Sequence, residues 1–285
     1  MKVLITGGAG YIGSTIASCC QDAGITPVIL DDFSTGLRVF GQRFDCYEGD
    51  IADRALLERV FADHPDIDAV IHCAAKIVVP ESVEQPLAYY DNNVGKAITL
   101  LQVLERFGVR RFVLSSTASM YDPGSATMVD ETSPVGPQSP YAASKWLLER
   151  VLADEAATGR MSVVALRYFN PIGADPQMRT GLQHPHPTHA LGKMIEAHDA
   201  GTPFTVTGVD WPTRDGSGLR DYIHVWDLAR AHVSVLQRLD DVVDTSGYEV
   251  INLGTGQGTT VFELAHAFGE ATEGIARFMG TPQFI

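Results

Sequence analysis

This sequence is short of basic residues, of cysteine and of long apolar runs. Its 285 residues hold 21 Lys and Arg against 35 Asp and Glu, a formal net charge of −14. So acidic a surface repels phosphate backbones and anionic membranes, which excludes nucleic acid and membrane as general partners. A local cationic pocket stays allowed. The four cysteines, Cys19, Cys20, Cys46 and Cys73, have no CxxC spacing and two are adjacent. That excludes a disulfide framework and a zinc site and fits reduced thiols. No apolar run reaches membrane-spanning length, and Lys2 leads straight into "VLITGG" without a signal-peptide pattern. The expected location is the cytoplasm. Repeats and low-complexity tracts are missing too.

What is present is a core supply, 45% apolar residues, arranged in alternation. "KVLITG" (2–7), "TPVILD" (26–31), "DAVIHCA" (68–74), "RFVLSS" (111–116) and "SVVALRY" (162–168) are near-continuous apolar runs, as for strands buried on both faces. "FDCYEGD" (44–50) is a weaker one. Helical patterns near 12–23, 53–62, 86–107 and 141–157 lie between them. Strand–helix alternation predicts an α/β fold with a Rossmann-type doubly wound parallel sheet. After about Asn170 the texture loosens, and "NPIGADPQMRTGLQHPHPTH" reads as a long loop. Helices near 189–200 and 226–239 and a strand over 248–254 follow. The expected division is 1–169 for nucleotide binding and 170–285 for a smaller, irregular substrate lobe, with some segments returning to the first.

"TGGAGYIGS" (6–14) carries Gly8-x-Gly10-x-x-Gly13 and Gly7-x-x-Gly10-x-x-Gly13 between the first strand and the first helix. A glycine pattern alone is weak, but this context is the one dinucleotide binding needs. The turn is tight, the backbone can approach a pyrophosphate, and the helix N-terminus offers free N–H groups. Asp31 ends the second strand, eighteen residues after Gly13. A carboxylate there accepts from ribose hydroxyls and repels a 2′-phosphate. With no arginine before Arg38, NAD is favoured over NADP. Asp50 can bond the adenine amino group, cap a helix, or do both.

"SPYAASK" (139–145) sets Tyr141 and Lys145 on one helix face. Ligands bind at the carboxyl ends of parallel strands, where Ser115–Thr117 would meet this helix. A phenol with pKa about 10 is a poor base at neutral pH. Lowering it by roughly 3 units takes about 4 kcal/mol. One cation about 4 Å away at an effective dielectric near 20 supplies about that. The expectation is that Lys145 and a positively charged nicotinamide lower Tyr141 enough for it to act as general base, with Thr117 orienting the same hydroxyl.

Together "GGAGYIGS", "YYDNNV", "SST…Y", "YAASK", "RYFNPIGA" and "RDYIHVWDLA" resemble the extended short-chain dehydrogenase/reductases, and above all the UDP-glucose 4-epimerases, over about residues 1–270. The resemblance implies Thr117, Tyr141 and Lys145 as the catalytic set. It implies NAD contacts from Gly7, Gly10, Tyr11, Ile12, Gly13, Asp31, Asp50, Ile51, Ala74, Ala75, Asn92 and Phe169, besides Tyr141 and Lys145. It places Asn170, Thr188, His189 and Arg220 with Thr117 on a UDP-sugar, Arg220 at the diphosphate. A guanidinium suits that role by bidentate hydrogen bonding, the alternative being a surface ion pair with Asp215 or Asp221. "AAKIVVPES" resembles the family's loop under the pyrophosphate, with Lys76 as phosphate contact or solvated side chain. His184, His186 and His189 lack a carboxylate or cysteine at ligand spacing, so no metal is expected. A homodimer is implied, through the helices near 86–107 and 141–157, with Leu100, Leu104, Trp146 and Leu147 as its surface.

Two departures from the pattern stand out. Thr117 replaces the usual serine and keeps the hydroxyl. The family pattern continues to an Arg-Pro-Gly-Asp clamp on the diphosphate and ribose, and this sequence reads "IARFMGTPQFI" instead. The expectation is tight cofactor binding, looser substrate binding and a mobile second lobe. The leading reading is NAD-dependent 4-epimerisation of a UDP-hexose through a 4-keto intermediate. A 4,6-dehydratase would carry Asp-Glu where Ala118 and Ser119 stand. Another nucleotide-sugar epimerase or decarboxylase, or an NAD-binding protein without turnover, are the alternatives.

Overall fold

The β-branched runs become neighbours in a single sheet because each is apolar enough to be covered on both faces. A computed structural model describes residues 1–122, 124, 128–182 and 187–272. The first half alternates through β1 (Lys2–Thr6), α1 (Tyr11–Asp22), β2 (Thr26–Asp31), α2 (Arg38–Gly41), β3 (Asp45–Glu48), α3 (Arg54–Asp63) and β4 (Ile67–His72). Next come α4 (Val79–Glu84), α5 (Pro86–Tyr90), a π-helical turn (Asp91–Gly95), α6 (Lys96–Phe107) and β5 (Arg111–Thr117). They are followed by α7 (Pro140–Ala156), β6 (Ser162–Tyr168), β7 (Asn170–Ile172), α8 (Ala190–Asp199) and β8 (Leu219–His224). The described part closes with α9 (Val225–Val242), β9 (Tyr248–Leu253), β10 (Gly258–Thr260) and α10 (Val261–Thr272).

Seven strands pair in the order β3-β2-β1-β4-β5-β6-β9, every pair parallel. Leu4, Val28 and Val70 point to the face covered by α3, α6 and α7, with Leu57, Leu100, Leu104 and Leu148 packed on it. Val3, Ile5 and Ile71 point to the other face, under Ile16 and Ala17 of α1 and Leu228, Val233 and Leu236 of α9. Each fully buried leucine or isoleucine contributes about 1.5–3 kcal/mol. A second sheet, β10-β8-β7, carries the irregular part.

The structure departs from the sequence expectations in three places. The predicted helix over 86–107 is broken: α5 and α6 are joined by the π-helical turn, at the asparagines of "DNNV". The predicted loop after Asn170 begins with β7, which pairs with β8. Helix α9 and strand β9 belong with the large sheet, not with the substrate lobe. Residues Tyr248–Leu253 pair with β6 in the register Val163↔Tyr248 to Tyr168↔Leu253, and α9 packs its apolar side against α1. Both are segments that return to the first domain across the expected division at residue 169. Finally, Leu100 and Leu104 are fully buried in the core, while Trp146 and Leu147 are 39% and 37% exposed. The former pair offers no surface to a second subunit. His184, His186 and the tail "IARFMGTPQFI" lie outside the described residues. Among those described, no helix is long and apolar enough to cross a membrane.

Candidate active site

A cavity of about 2170 Å³ runs across the carboxyl ends of β1, β2, β4, β5 and β6 and on between β8 and α8. Two local devices build its glycine end. Gly7 has a positive φ of 70°, and a Cβ on it would come within 2.6 Å of the Ala74 nitrogen. On Gly13 a Cβ would sit 2.2 Å from the Gly7 carbonyl. Turn, helix and the segment after β4 thus touch backbone to backbone. Helix α1 starts from Gly10 with no side-chain cap and no acidic residue in its first turn. Its first amides are offered to an anion, which the helix dipole favours. Gly10, Tyr11, Ile12 and Gly13 all line the cavity. The Tyr11 hydroxyl donates to the Gly173 carbonyl at 2.7 Å, tying this end to the loop after β7.

Asp31 is 6% exposed at the end of β2. Its oxygens accept from the amides of Ala9 (2.9 Å) and Phe33 (2.8 Å), and it lines the cavity. Burial pushes its carboxyl up, and those two amides oppose the shift. Arg38 turns away to grip Glu48 with two bonds of 2.6 Å over the Phe33 ring, leaving the Asp31 carboxylate on the cavity wall. Asp50 does not cap a helix, because Asp53 takes that place at the start of α3 by accepting from the Leu56 amide at 3.1 Å; Asp50 accepts from the Ala52 amide at 2.8 Å and lines the cavity. It also pairs with Lys96 at 2.5 Å, which the sequence did not reveal. Burial raises its carboxyl, but Lys96 and the Ala52 amide outweigh burial and hold it below its ordinary value. These residues fit an adenosine diphosphate: amides for the phosphates, carboxylates for ribose and adenine, and no bulk in the turn.

The next stretch is lined by Ile51, Ala74, Ala75, Lys76 and Asn92. The Lys76 ammonium is engaged with Glu81 at 3.2 Å. Asn93, which sequence reasoning passed over, is 1% exposed and acts as a staple. It accepts from the Lys76 amide, and it donates to the Lys76 carbonyl and to Ser144 Oγ, at 2.8, 3.0 and 2.9 Å. The only signal available was that it is the second asparagine of a pair inside a helical pattern.

At the centre, Thr117 ends β5 and Tyr141 opens α7. Ser139 caps that helix by accepting from the Ala142 amide, and Pro140 occupies its first turn. Both Thr117 and Tyr141 line the cavity. Lys145 lies behind them, 2% exposed, with Nζ donating to the Ser115 carbonyl at 2.7 Å. The Lys145 ammonium is thus directed at a backbone carbonyl rather than at the Tyr141 phenol. Burial pushes the Tyr141 phenol up, and the opposing influence is its hydrogen bond with Thr117. A buried ammonium takes the nearest good acceptor, here a strand-end carbonyl. Burial also pushes Lys145 down to about 8.

The far end of the cavity is lined by Phe169, Asn170, Thr188, His189 and Arg220. Asn170 Nδ2 donates to the Asp221 carbonyl at 3.1 Å, setting β7 beside β8. The His189 ring accepts from the Gly192 amide and caps α8. Neither expected pairing of Arg220 forms. The Asp221 carboxylate takes Thr255 and the Gly256 amide, and Asp215 takes Ser217 and Thr260. Arg220 stays exposed at the wall, with Nη1 on its neighbour's carbonyl, Leu219 O, at 2.7 Å.

Known proteins resemble this chain in sequence and fold. A sequence model of the NAD dependent epimerase/dehydratase family matches residues 3–254. A UDP-glucose 4-epimerase of Azospirillum brasilense is 43% identical over 273 residues, 95% of this chain and 77% of that one. The crystal structure of UDP-glucose-4-epimerase from Stenotrophomonas maltophila, with bound NAD and formylated UDP-arabinopyranose, superposes with a TM-score of 0.90 at 37% identity, covering 100% of this chain and 88% of that one. The enzyme from Bifidobacterium longum, in complex with NAD+ and UDP, gives 0.86 at 35% identity over 95% and 83%.

Proposed function

The chain belongs to the NAD dependent epimerase/dehydratase family, and from that premise we propose that it epimerises UDP-hexoses at C4, UDP-glucose and UDP-galactose among them. NAD is its cofactor. One observation carries the reading: Tyr141 and Thr117 stand midway along a single cavity that has the glycine turn and Asp31 at one end and Arg220 at the other. That is the layout for a sugar held between a dinucleotide and its own diphosphate.

Asp31, Asp50 and the first amides of α1 would hold the adenosine and pyrophosphate. Lys145 would serve the nicotinamide ribose, and Phe169 would bound the ring. When bound, NAD supplies a two-electron acceptor at C4 and a positive charge beside the phenol. Thr117 holds the 4-hydroxyl, and Tyr141 takes its proton as the C4–H electron pair leaves, giving the 4-keto sugar. Asn170 and Arg220 keep the UDP anchored while the ketone presents its other face, with Thr188 and His189 beside the uridine. Tyr141 then returns the proton as the electron pair comes back. Arg220 suits the diphosphate because it is already exposed at the wall and loses no carboxylate partner on binding. Both redox steps cancel, so no external reductant is consumed.

Assembly is as a homodimer, supported by exposed Leu87 on α5, Ile98 on α6, and Trp146 and Leu147 on α7. The cytoplasm suits its four free thiols.

The test is conversion of UDP-galactose to UDP-glucose by purified protein without added reductant. Tyr141→Phe should retain NAD and lose about 10²–10⁴-fold in turnover. Conversion by the variant at the wild-type rate overturns the assignment of the base.

A further inference from the structure

Behind the cavity lies a buried polar cluster with no part in the chemistry above. Glu149 is on α7, four residues past Lys145 and eight past Tyr141, on the same helix face. It is 3% exposed. Its Oε2 accepts from Arg167 Nη2 at 2.6 Å and from Nε at 3.2 Å, and Oε1 accepts from Nε at 3.1 Å. Oε1 also accepts from Ser116 Oγ at 2.5 Å, and Oε2 from the Tyr248 hydroxyl at 3.0 Å. Arg167 Nη1 donates on to the Tyr121 hydroxyl at 2.9 Å. One carboxylate thus joins α7 to β5, β6 and β9.

Buried ion pairs contribute little net stability, because desolvation consumes most of the attraction. What this one ties is more telling. Ser116 lies between Ser115, whose carbonyl takes Lys145, and Thr117, which meets Tyr141. Side chains alternate along a strand. Ser115 Oγ therefore meets His232 of α9 at 3.2 Å on one face of the sheet, and Ser116 meets Glu149 on the other. The end of β5 is pinned from both sides.

We propose that Glu149 is a positioning residue for the reaction: paired with Arg167, it fixes the end of β5 against α7 so that the Ser115 carbonyl and the Thr117 hydroxyl meet Lys145 and Tyr141 in register. The proposal rests on the reading of Tyr141 and Lys145 given above. Glu149 also sets the charge around Lys145. The titratable groups facing that ammonium are Glu149 and Tyr141 from α7, and His72 and Cys73 from the end of β4. Burial pushes the Cys73 thiol up to about 11 and the His72 imidazole down to about 3, so both are neutral at pH 7, as is the raised Tyr141 phenol. Glu149 is the carboxylate that helps Lys145 keep its proton.

Glu149→Gln tests this in the full chain with its bound NAD. The expected result is NAD content and KM for UDP-galactose near wild type, kcat down about ten-fold or more, and an alkaline limb moved to lower pH as Lys145 loses its proton earlier. A readout free of turnover is NMR titration of lysine Cε signals in NAD-free protein, assigned with Lys145→Met. Lys145 should titrate at lower pH in Glu149→Gln. Ser116→Ala, which cuts only the link to β5, should lower kcat in the same direction, and Ser116→Thr should restore it. A lower melting temperature with wild-type kcat per NAD-loaded site, or an unmoved Lys145 titration, would make the cluster merely structural and overturn the proposal. Should Lys145 shift as expected in a protein whose wild type fails to convert UDP-galactose, the functional reading falls and the positioning stands.

Discussion

Asp31 has two places in the structure: its carboxylate holds the amides of Ala9 and Phe33, and it lines the cavity where the proposed function puts the adenine ribose. Removing it in Asp31→Ala should weaken NAD binding about ten- to a hundred-fold, the equivalent of one charge-assisted hydrogen bond of about 1.5–3 kcal/mol. It should also narrow the preference over NADP, since the charge that repels a 2′-phosphate is gone. Calorimetry of NAD-stripped protein with each nucleotide separates the two effects, and an unchanged preference would assign discrimination to another residue. Such residues are legible in sequence because their neighbours in the chain announce them: Asp31 follows an apolar run, and Tyr141 and Lys145 share one helical turn. Partners brought by the fold are not. Lys145 reaches Ser115, thirty residues back, and spacing alone made the phenol its obvious partner. Glu149 had a faint signal, as the third polar residue at i, i+4 and i+8 on the face of Tyr141.

Among elements, the crossing of α1 over the glycine turn is a tight junction. Gly13→Ala puts a methyl 2.2 Å from the Gly7 carbonyl, so backbone must move. The expected cost is about 1–3 kcal/mol, with loss of bound NAD. Gly10→Ala is the contrast: its methyl meets nothing nearer than 3.4 Å, so the fold tolerates it while the methyl enters the space the pyrophosphate needs. Melting temperature and NAD content distinguish these outcomes. A Gly13→Ala protein as stable as wild type would show that the turn can relax. The long apolar strands were plain from sequence, whereas β7 and β10 have three residues each and carry no periodic pattern. The π-helical turn was also hidden, since five helical residues with one extra in the hydrogen-bond ring look like any other helix in sequence.

At the scale of the molecule, α5, α6 and α7 carry the exposed apolar residues Leu87, Ile98, Phe107, Trp146 and Leu147, with Leu87 81% exposed. Leu147→Asp combined with Trp146→Asp should turn a sedimenting dimer into monomer at micromolar concentration and leave the internal packing of α7 intact, because Leu148 and Leu152 face inward. A wild type that sediments only as monomer would remove the basis for the pairing. The return of β9 to the large sheet has a further consequence, for the time course of folding. Strand β6 cannot gain its outer neighbour until residues up to Leu253 have left the ribosome, since its register needs Tyr248 and those after it. Throughout that interval β6 is an unpaired sheet edge lined by Val163, Val164, Ala165 and Leu166, the kind of edge that other chains can add to. Loop closure over so long a separation is slow, so the nascent protein's exposure to aggregation is set by how fast the substrate lobe between β6 and β9 is made and folds out of the way.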